Sequence, residues 1–246
     1  METGQISPNP SAVARVLGAV AFLLIIASVG GQLSKFQLGH DYVMGLVPMF
    51  DLNDEQNIPT FFTVLLMLIA TLLLVVIAIL SGKQKMPDVS KWIILSFGFL
   101  FMAYDEAFQI HERLNVPVRK LLGYVNLGVF HYAWVTIGIA LVFFLALFFL
   151  RFLLRLPSAT RFTFILAATL YIGGSIGIEL IGSRYDELHG QENLTYNLIS
   201  TVEESLEIAG LIVFIYALLK YIADNYNEVR FRFNDVRADD STIDSP

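Results

Sequence analysis

Apolar runs long enough to cross a bilayer alternate along this chain with short polar stretches. At 1.5 Å per helical residue and about 30 Å of hydrocarbon, a span needs about 20 residues. Six segments reach this length, and the third does so only when its polar end is included. They lie near 12–33, 60–81, 91–112, 128–152, 162–182 and 198–222. The pattern predicts an all-α fold, a polytopic membrane bundle of six transmembrane helices.

Helix-breaking residues agree with these boundaries. Pro59 suits the first turn of the second helix, and Pro157 suits a short turn between the fourth and the fifth. The first segment has some features of a signal peptide. Only one arginine, Arg15, precedes its apolar run, and no small-residue cleavage site follows. We therefore interpret this segment as a membrane helix.

Lysine and arginine are distributed unevenly between the two sides of the predicted bundle. Eleven lie on the side that holds both chain termini, and five lie on the other side. The positive-inside rule then places both termini in the cytoplasm and the 33–59 loop outside. We expect a transmembrane domain over 1–223 and a disordered cytoplasmic tail over 224–246. The expected location is the cell inner (plasma) membrane, with multiple passes.

Composition supports the membrane assignment and excludes several classes of chemistry. The chain is 56% hydrophobic and 15% charged, whereas a soluble domain carries about 25% charged residues. Cysteine is absent, which excludes disulfides, thiolate metal sites and cysteine nucleophiles. A net charge of −6 argues against a nucleic-acid partner. Membrane lipid is the expected partner, and a homo-oligomer remains open.

Ionisable residues interrupt or adjoin the apolar segments at several places. A carboxylate in hydrocarbon costs several kcal/mol unless it is paired, protonated or metal-bound, so each is a functional-site hypothesis. With the predicted orientation, four helices place such groups roughly 0–15 Å below the outer surface. These groups are Asp105, Glu106, His111 and Glu112 on the third helix, His131 on the fourth, Glu179 and Asp186 on the fifth, and Glu203, Glu204 and Glu207 on the sixth.

Helical spacing brings only part of this set onto shared faces. Asp105 and Glu112 lie on one face of the third helix at i and i+7. Glu106 and His111 fall off that face. They can join the same site only if the helix unwinds there or if the site lies between several helices. On the fifth helix, Gly173, Gly174 and Gly177 are expected to let a neighbouring helix approach closely.

The chemistry of the cluster favours a metal. So many carboxylates at one depth need a divalent cation, shared protons, or arginine partners such as Arg113 and Arg184. Carboxylates with imidazole are a ligand set for Zn, Fe or Mn. We predict a divalent transition-metal site that acts on a lipid-like or quinone-like substrate, with Glu204 as general base. The predicted metal ligands are Asp105, Glu106, His111, Glu179, Glu203 and Glu207.

Simpler interpretations compete for some of these residues. Glu112 and Arg113 could be interfacial side chains that reach water. Asp186, Glu187 and His189 are expected in a solvated loop.

Two other functions also stay open. A proton- or cation-coupled transporter would use stacked carboxylates as a relay, although the inner halves of the six helices look apolar. A structural or sensory subunit would use these carboxylates as buried polar contacts that hold the helices together.

Four sequence motifs resemble a family of uncharacterised six-helix bacterial inner-membrane proteins. They are Phe50-Asp51-Leu52 with Glu55-x-x-Ile58-Pro59-Thr60, Asp105-Glu106 with His111-Glu112, Gly177-x-Glu179, and Glu203-Glu204-x-Leu206-Glu207. The resemblance spans about 50–222. It implies the same topology and points to the same residues, but it implies no particular reaction. The chain has a weaker resemblance to ceramidase-like membrane hydrolases, which hold zinc with His, Asp and Ser. It lacks the late pair of histidines of those proteins.

Overall fold

The computed structural model describes residues 9–123 and 127–226. Within these ranges the regular structure is helical throughout, so the predicted all-α class is confirmed. The α-helices are α1 (Pro10–Leu38), α2 (Leu46–Phe50), α3 (Ile58–Lys83), α4 (Val89–Phe108), α5 (Ile110–Arg113), α6 (Asn115–Leu122), α7 (Trp134–Arg155), α8 (Ser158–Ile172), α9 (Glu179–His189) and α10 (Leu194–Asn225). Two 3₁₀ turns, Val43–Gly45 and Gly128–Phe130, and a π-helical segment, Gly173–Ile178, complete the set.

Five helices of the described residues are long and apolar enough to cross a membrane. They are α1, α3, α7, the continuous Ser158–His189 helix and α10. A sixth span arises only if α4 and the Ile110–Leu122 segment count together, and these two are bent by 69°. The chain therefore has the pattern of a multi-pass membrane protein. Most of the expected tail, from residue 227 onward, lies outside the described residues.

Several predicted boundaries need correction. The fourth helix was expected from 128, but α7 begins at Trp134, after a 3₁₀ turn. The fifth was expected to end near 182, but helical structure continues to His189. Asp186, Glu187 and His189 therefore lie on a helix and not in a loop. Hydrophobic periodicity stops where the charges begin, whereas backbone hydrogen bonding continues through them.

Side-chain caps explain where three of the long helices begin. The side chain of Asn9 accepts hydrogen bonds from the backbone N–H groups of Ser11 and Ala12 at the start of α1. Asn57 caps α3 in the same way, and Pro59 occupies its first turn as predicted. Asn193 caps α10. Each cap satisfies backbone donors that have no partner inside the helix.

The last helix, α10, forms the centre of the bundle. It packs against α1, α3, α8 and the π-helical segment. Its second half is buried and apolar, with Ile215 and Leu218 at 0% exposure, and Leu74 and Ile77 of α3 in the same core are equally buried. In contrast, α7 lies at the edge, and Phe143 and Phe144 are more than half exposed. One half of the bundle is thus a tightly packed apolar core.

Two glycines bring the Ser158–His189 helix into backbone contact with α10. A Cβ atom on Gly174 would lie 2.7 Å from the carbonyl oxygen of Glu203 and 3.0 Å from Cγ of Glu207. A Cβ atom on Gly210 would lie 2.7 Å from the backbone nitrogen of Tyr171. The expected role for Gly173 and Gly177 is wrong, because both face open space. The close approach at Gly174 places the π-helical segment beside the acidic turn of α10.

Candidate functional site

The helix that carries Asp105 is interrupted a few residues later. At Gln109 the backbone takes the left-handed conformation, with φ 55° and ψ 44°, so α4 ends there. Left-handed geometry is unfavourable for a residue with a side chain. The chain then turns into α5, and this break supplies the unwinding that the off-face position of His111 requires, whereas Glu106 precedes the break within α4 and stays off the Asp105 face.

The break folds His111 back onto Asp105. The backbone N–H of His111 donates to Asp105 Oδ1 at 2.8 Å, and its ring Nδ1 pairs with Oδ2 at 2.9 Å. One carboxylate therefore fixes both the start of α5 and the orientation of the imidazole. Because Asp105 occupies Nδ1, the other ring nitrogen, Nε2, remains for a metal or a proton. A carboxylate behind a ligating histidine is a common feature of metal sites, where it orients the ring and raises its basicity.

A loop between α2 and α3 brings a second acid to this position. Asn57 ties the loop together, since its Nδ2 donates to the backbone carbonyls of Pro48, Asp51 and Asp54 at 2.6–3.2 Å. Glu55 lies in this loop, two residues before Asn57. Its Oε2 is buried and has no hydrogen-bond partner among the described residues. Burial and the neighbouring charge of Glu112 raise the pKa of Glu55 from 4.5 to about 7.

Glu55, His111 and Glu112 form one cluster, which we call the loop–hinge cluster. Each offers one ligand atom, and these atoms all lie within 4.8 Å of one another. Ligand atoms at about 2.0–2.2 Å from a metal lie at most about 4.4 Å apart, so small side-chain rotations would close the set on an ion. One imidazole and two carboxylates suit Zn, Fe or Mn. The chemistry of this donor set therefore fits a divalent transition metal.

A cavity of about 830 Å³ opens beside the loop–hinge cluster. Its polar wall includes Glu55 and Gln109, and its apolar wall includes Met49, Ile58 and Phe61. Phe61 is 71% exposed, so this wall is an accessible surface and not part of the core. A ligand with a polar head and an apolar body would match both walls.

The remaining predicted acids form a second group behind the loop–hinge cluster. Glu106, Glu204 and Glu207 lie close enough for their charges to interact, and Glu204 also interacts with the charge of Glu55. Glu203 interacts with Glu179 and Glu207. Glu207 is only 7% exposed. The predicted residues thus divide into Asp105 and His111 at the hinge, and an inner acidic group in which Glu207 is buried and the other four acids are half-buried, namely Glu106, Glu179, Glu203 and Glu204.

A tryptophan connects the two groups. The indole nitrogen of Trp134 donates to Glu179 Oε1 at 2.9 Å, and its ring packs against the His111 ring with centroids 4.9 Å apart. Trp134 begins α7, so this contact also attaches the peripheral helix to the site. Trp134 thus combines aromatic packing on His111 with a hydrogen bond to the Glu179 carboxylate.

His131 belongs to a different polar network. Arg119 donates to its Nδ1 at 2.7 Å, which fixes that nitrogen as an acceptor. The adjacent Tyr132 hydroxyl donates to Asp186 at 2.7 Å and bonds Tyr196 at 2.8 Å. These contacts tie the turn before α7 to α9 and α10. They give His131 and Asp186 partners away from the loop–hinge cluster.

Sequence reasoning left two members of the cluster outside the predicted ligand set. Glu112 fitted an interfacial residue, and it is in fact exposed. Glu55 fitted a solvated acid of an external loop. The only sequence signal for it was its place in the motif Glu55-x-x-Ile58-Pro59-Thr60, because hydrophobic periodicity says nothing about where a loop folds.

These features define a class: an all-α protein with several helices long and apolar enough to span a membrane, and with an acidic and histidine cluster at one end of the bundle. A model of a family described as a domain of unknown function, DUF8692, matches residues 16–222. The chain belongs to this family, in agreement with the resemblance to an uncharacterised family. No curated protein and no solved structure matches it.

Proposed function

We propose that this protein is a membrane metalloprotein that holds a divalent transition metal, Zn, Fe or Mn, at Glu55, His111 and Glu112. The observation that carries the proposal is the convergence of these three ligand atoms within 4.8 Å, with Asp105 positioned behind His111. Asp105 is the orienting partner of the imidazole and not a ligand. A bound metal would polarise a carbonyl or phosphoryl oxygen and lower the pKa of a water molecule.

The inner acidic group has a role beside the metal. Glu204 lies near the charges of Glu55, Glu106 and Glu207, so it is suited to accept a proton from the site and pass it to its neighbours. This keeps Glu204 as the proposed general base. Glu106 and Glu207 continue the same chain of carboxylates.

The adjoining cavity supports a membrane-derived substrate. Its apolar wall of Met49, Ile58 and Phe61 would contact hydrocarbon, while Glu55 and Gln109 would face a polar head. A lipid-like or quinone-like molecule has this division. With the termini in the cytoplasm, the cavity would open to the outer leaflet.

Elemental analysis of the protein purified in detergent tests metal binding. We expect about one equivalent of a transition metal in the wild type and substantial loss in His111→Ala and Glu55→Gln. Glu192→Gln, which changes an exposed acid at the same end of the bundle, is the matched control and should keep the metal. Equal metal content in all four proteins, or none in the wild type, would refute the proposal.

Catalysis needs its own test. Lipid and quinone extracts incubated with metal-loaded wild type should show a product by mass spectrometry that His111→Ala and Glu204→Gln fail to form. Glu204→Gln is expected to retain its metal, which separates loss of the base from loss of the site. A product formed equally by both variants would remove the proposed roles of these residues.

Coupled transport of protons or cations is the second candidate function. The chain of interacting carboxylates Glu106, Glu204 and Glu207 favours it. However, the chain meets the apolar core, where Ile215 and Leu218 on α10 are fully buried. Reconstituted vesicles with a pH gradient discriminate, since transport predicts proton flux that is lost in Glu207→Gln.

A further inference from the structure

A buried polar network, separate from the loop–hinge cluster, joins α1, the loop after α2, and α10. At its centre, Nε2 of Gln32 lies 3.0 Å from Asp51 Oδ1 and 2.8 Å from Thr201 Oγ1. It also lies 3.2 Å from Ser28 Oγ. Gln32 is 0% exposed and Asp51 is 2% exposed, so water does not solvate this carboxylate. We call these residues the Gln32–Asp51 network.

Several buried oxygen atoms on the segments that pack around α10 have no hydrogen-bond partner within residues 9–123 and 127–226. Gln32 Oε1 and Asp51 Oδ2 belong to the network itself. Thr63 Oγ1 on α3 and Asn197 Oδ1 on α10 share this property, and both residues are at most 2% exposed. Contacts join α1 to α2 and α10, and α3 to α2 and α10, so all four oxygens belong to segments that pack together.

The charge of Asp51 is also unbalanced in the described part of the chain. The ion pairs found there join other residues, and none includes Asp51. Its two contacts on Oδ1 come from neutral donors, the Gln32 amide and the backbone N–H of Asn53. Burying an ionised carboxylate without a counter-charge is strongly unfavourable. A cation close to Oδ2 would remove this cost.

The donor set selects the kind of cation. All four unpartnered atoms are oxygens. A ligand set made only of oxygens favours a hard cation over a transition metal. Calcium sites combine several oxygen ligands and their affinity depends on the number of charged ligands, whereas this network supplies one carboxylate. Magnesium keeps several waters, and this network is closed to solvent. A single negative charge among neutral oxygens balances one monovalent cation.

From these observations we infer that the Gln32–Asp51 network is a Na⁺ site, with Asp51, Gln32, Thr63 and Asn197 as oxygen donors. Na⁺ here would link α1, α3 and α10 through the loop that starts at Asp51. The same loop carries Glu55 four residues later. Because Na⁺ binding involves none of the loop–hinge residues, it stands independently of the proposed transition-metal site.

Binding of ²²Na⁺ to the purified full-length protein tests the inference. We expect saturable binding of about one Na⁺ per chain, competed by unlabelled NaCl and not by choline chloride at equal ionic strength. Asp51→Asn, which keeps the shape and removes the charge, should abolish it. Glu112→Gln, which alters the transition-metal cluster, should bind ²²Na⁺ like the wild type.

A melting experiment keeps the inference testable if Asp51→Asn folds poorly. The wild-type Tm should rise when NaCl replaces choline chloride, and Thr63→Val should shift this response to higher NaCl by at least tenfold. Absence of ²²Na⁺ binding in the wild type would overturn the inference. So would an Asp51→Asn variant that is more stable than wild type in both salts, since the network would then need no cation.

Discussion

Asp105 contributes to the proposed site through a neighbour and not as a ligand. Its two hydrogen bonds hold both the backbone and the ring of His111. Asp105→Asn should keep the shape but weaken orientation and basicity of the imidazole. We expect metal affinity to fall by about 10–100-fold, measured by competition with a fluorescent chelator. Asp41→Asn, in an exposed loop, should leave affinity unchanged, and an unchanged value in Asp105→Asn would contradict the assigned role.

Glu55 predicts a dependence of stability on pH. Burial and the charges of Glu112 and Glu106 raise its pKa, while the Gln109 hydrogen bond and His111 oppose them, with a result near 7. In the metal-free protein this stabilises the protonated form. The contribution is therefore complete below about pH 4.5 and is lost as the pH rises toward 7. Melts with chelator should show this slope in the wild type.

The control for this prediction is Glu55→Gln, which cannot ionise. The difference between its Tm and that of the wild type should grow from pH 5 to pH 7 and then level off. With added metal, the Tm of the wild type should instead rise with pH, because the Glu55 ligand must be deprotonated to bind the ion. Parallel Tm curves for the two proteins would show that Glu55 is solvated and ionised throughout.

At the residue scale, the sequence indicates which side chains can do chemistry better than it indicates where they lie in the fold. Asp105 and His111 stand out because charges inside an apolar helix are costly. Glu55 does not, because an acid in a loop is ordinary. The left-handed backbone at Gln109 is also invisible to hydrophobic periodicity, yet it turns His111 back toward Asp105, whose carboxylate leaves Nε2 of the ring free.

At the element scale, the contact between the Ser158–His189 helix and α10 determines where the buried acids lie. Gly174→Ala would place a methyl group 2.7 Å from the Glu203 carbonyl oxygen. We expect a loss of about 1–3 kcal/mol of stability, measured as a lower Tm in detergent, because the backbone must move. Gly173→Ala and Gly177→Ala meet open space and are the matched controls. Equal Tm values in all three variants would show that the contact is loose.

The elements themselves are mostly predictable, whereas their irregularities are not. Apolar length and the Pro59 and Pro157 boundaries locate the long helices. The 69° bend after α4 and the π-helical segment at 173–178 depend on tertiary contacts that the chain pattern does not encode. These two irregular places are also where the helices approach the candidate site.

At the scale of the whole molecule, polar and apolar halves are separated along the bundle. The site residues occupy the first half of α10, and fully buried Leu218 lies in the second. The distribution of lysine and arginine predicts that the polar half faces outward. Reporter fusions at Asp54 and at the C-terminus should therefore report opposite sides of the membrane. The same side for both would remove the outer-leaflet assignment.

The central claim is that His111 and two carboxylates hold one metal ion. X-ray absorption at the K-edge of the metal found in the purified protein measures this most directly. We predict one imidazole nitrogen among oxygen ligands at about 2.0–2.2 Å, and loss of the imidazole scattering in metal-reloaded His111→Ala. A spectrum with oxygen ligands alone, unchanged in that variant, would contradict the account. It would indicate that the metal is bound by the acids around Glu207 instead.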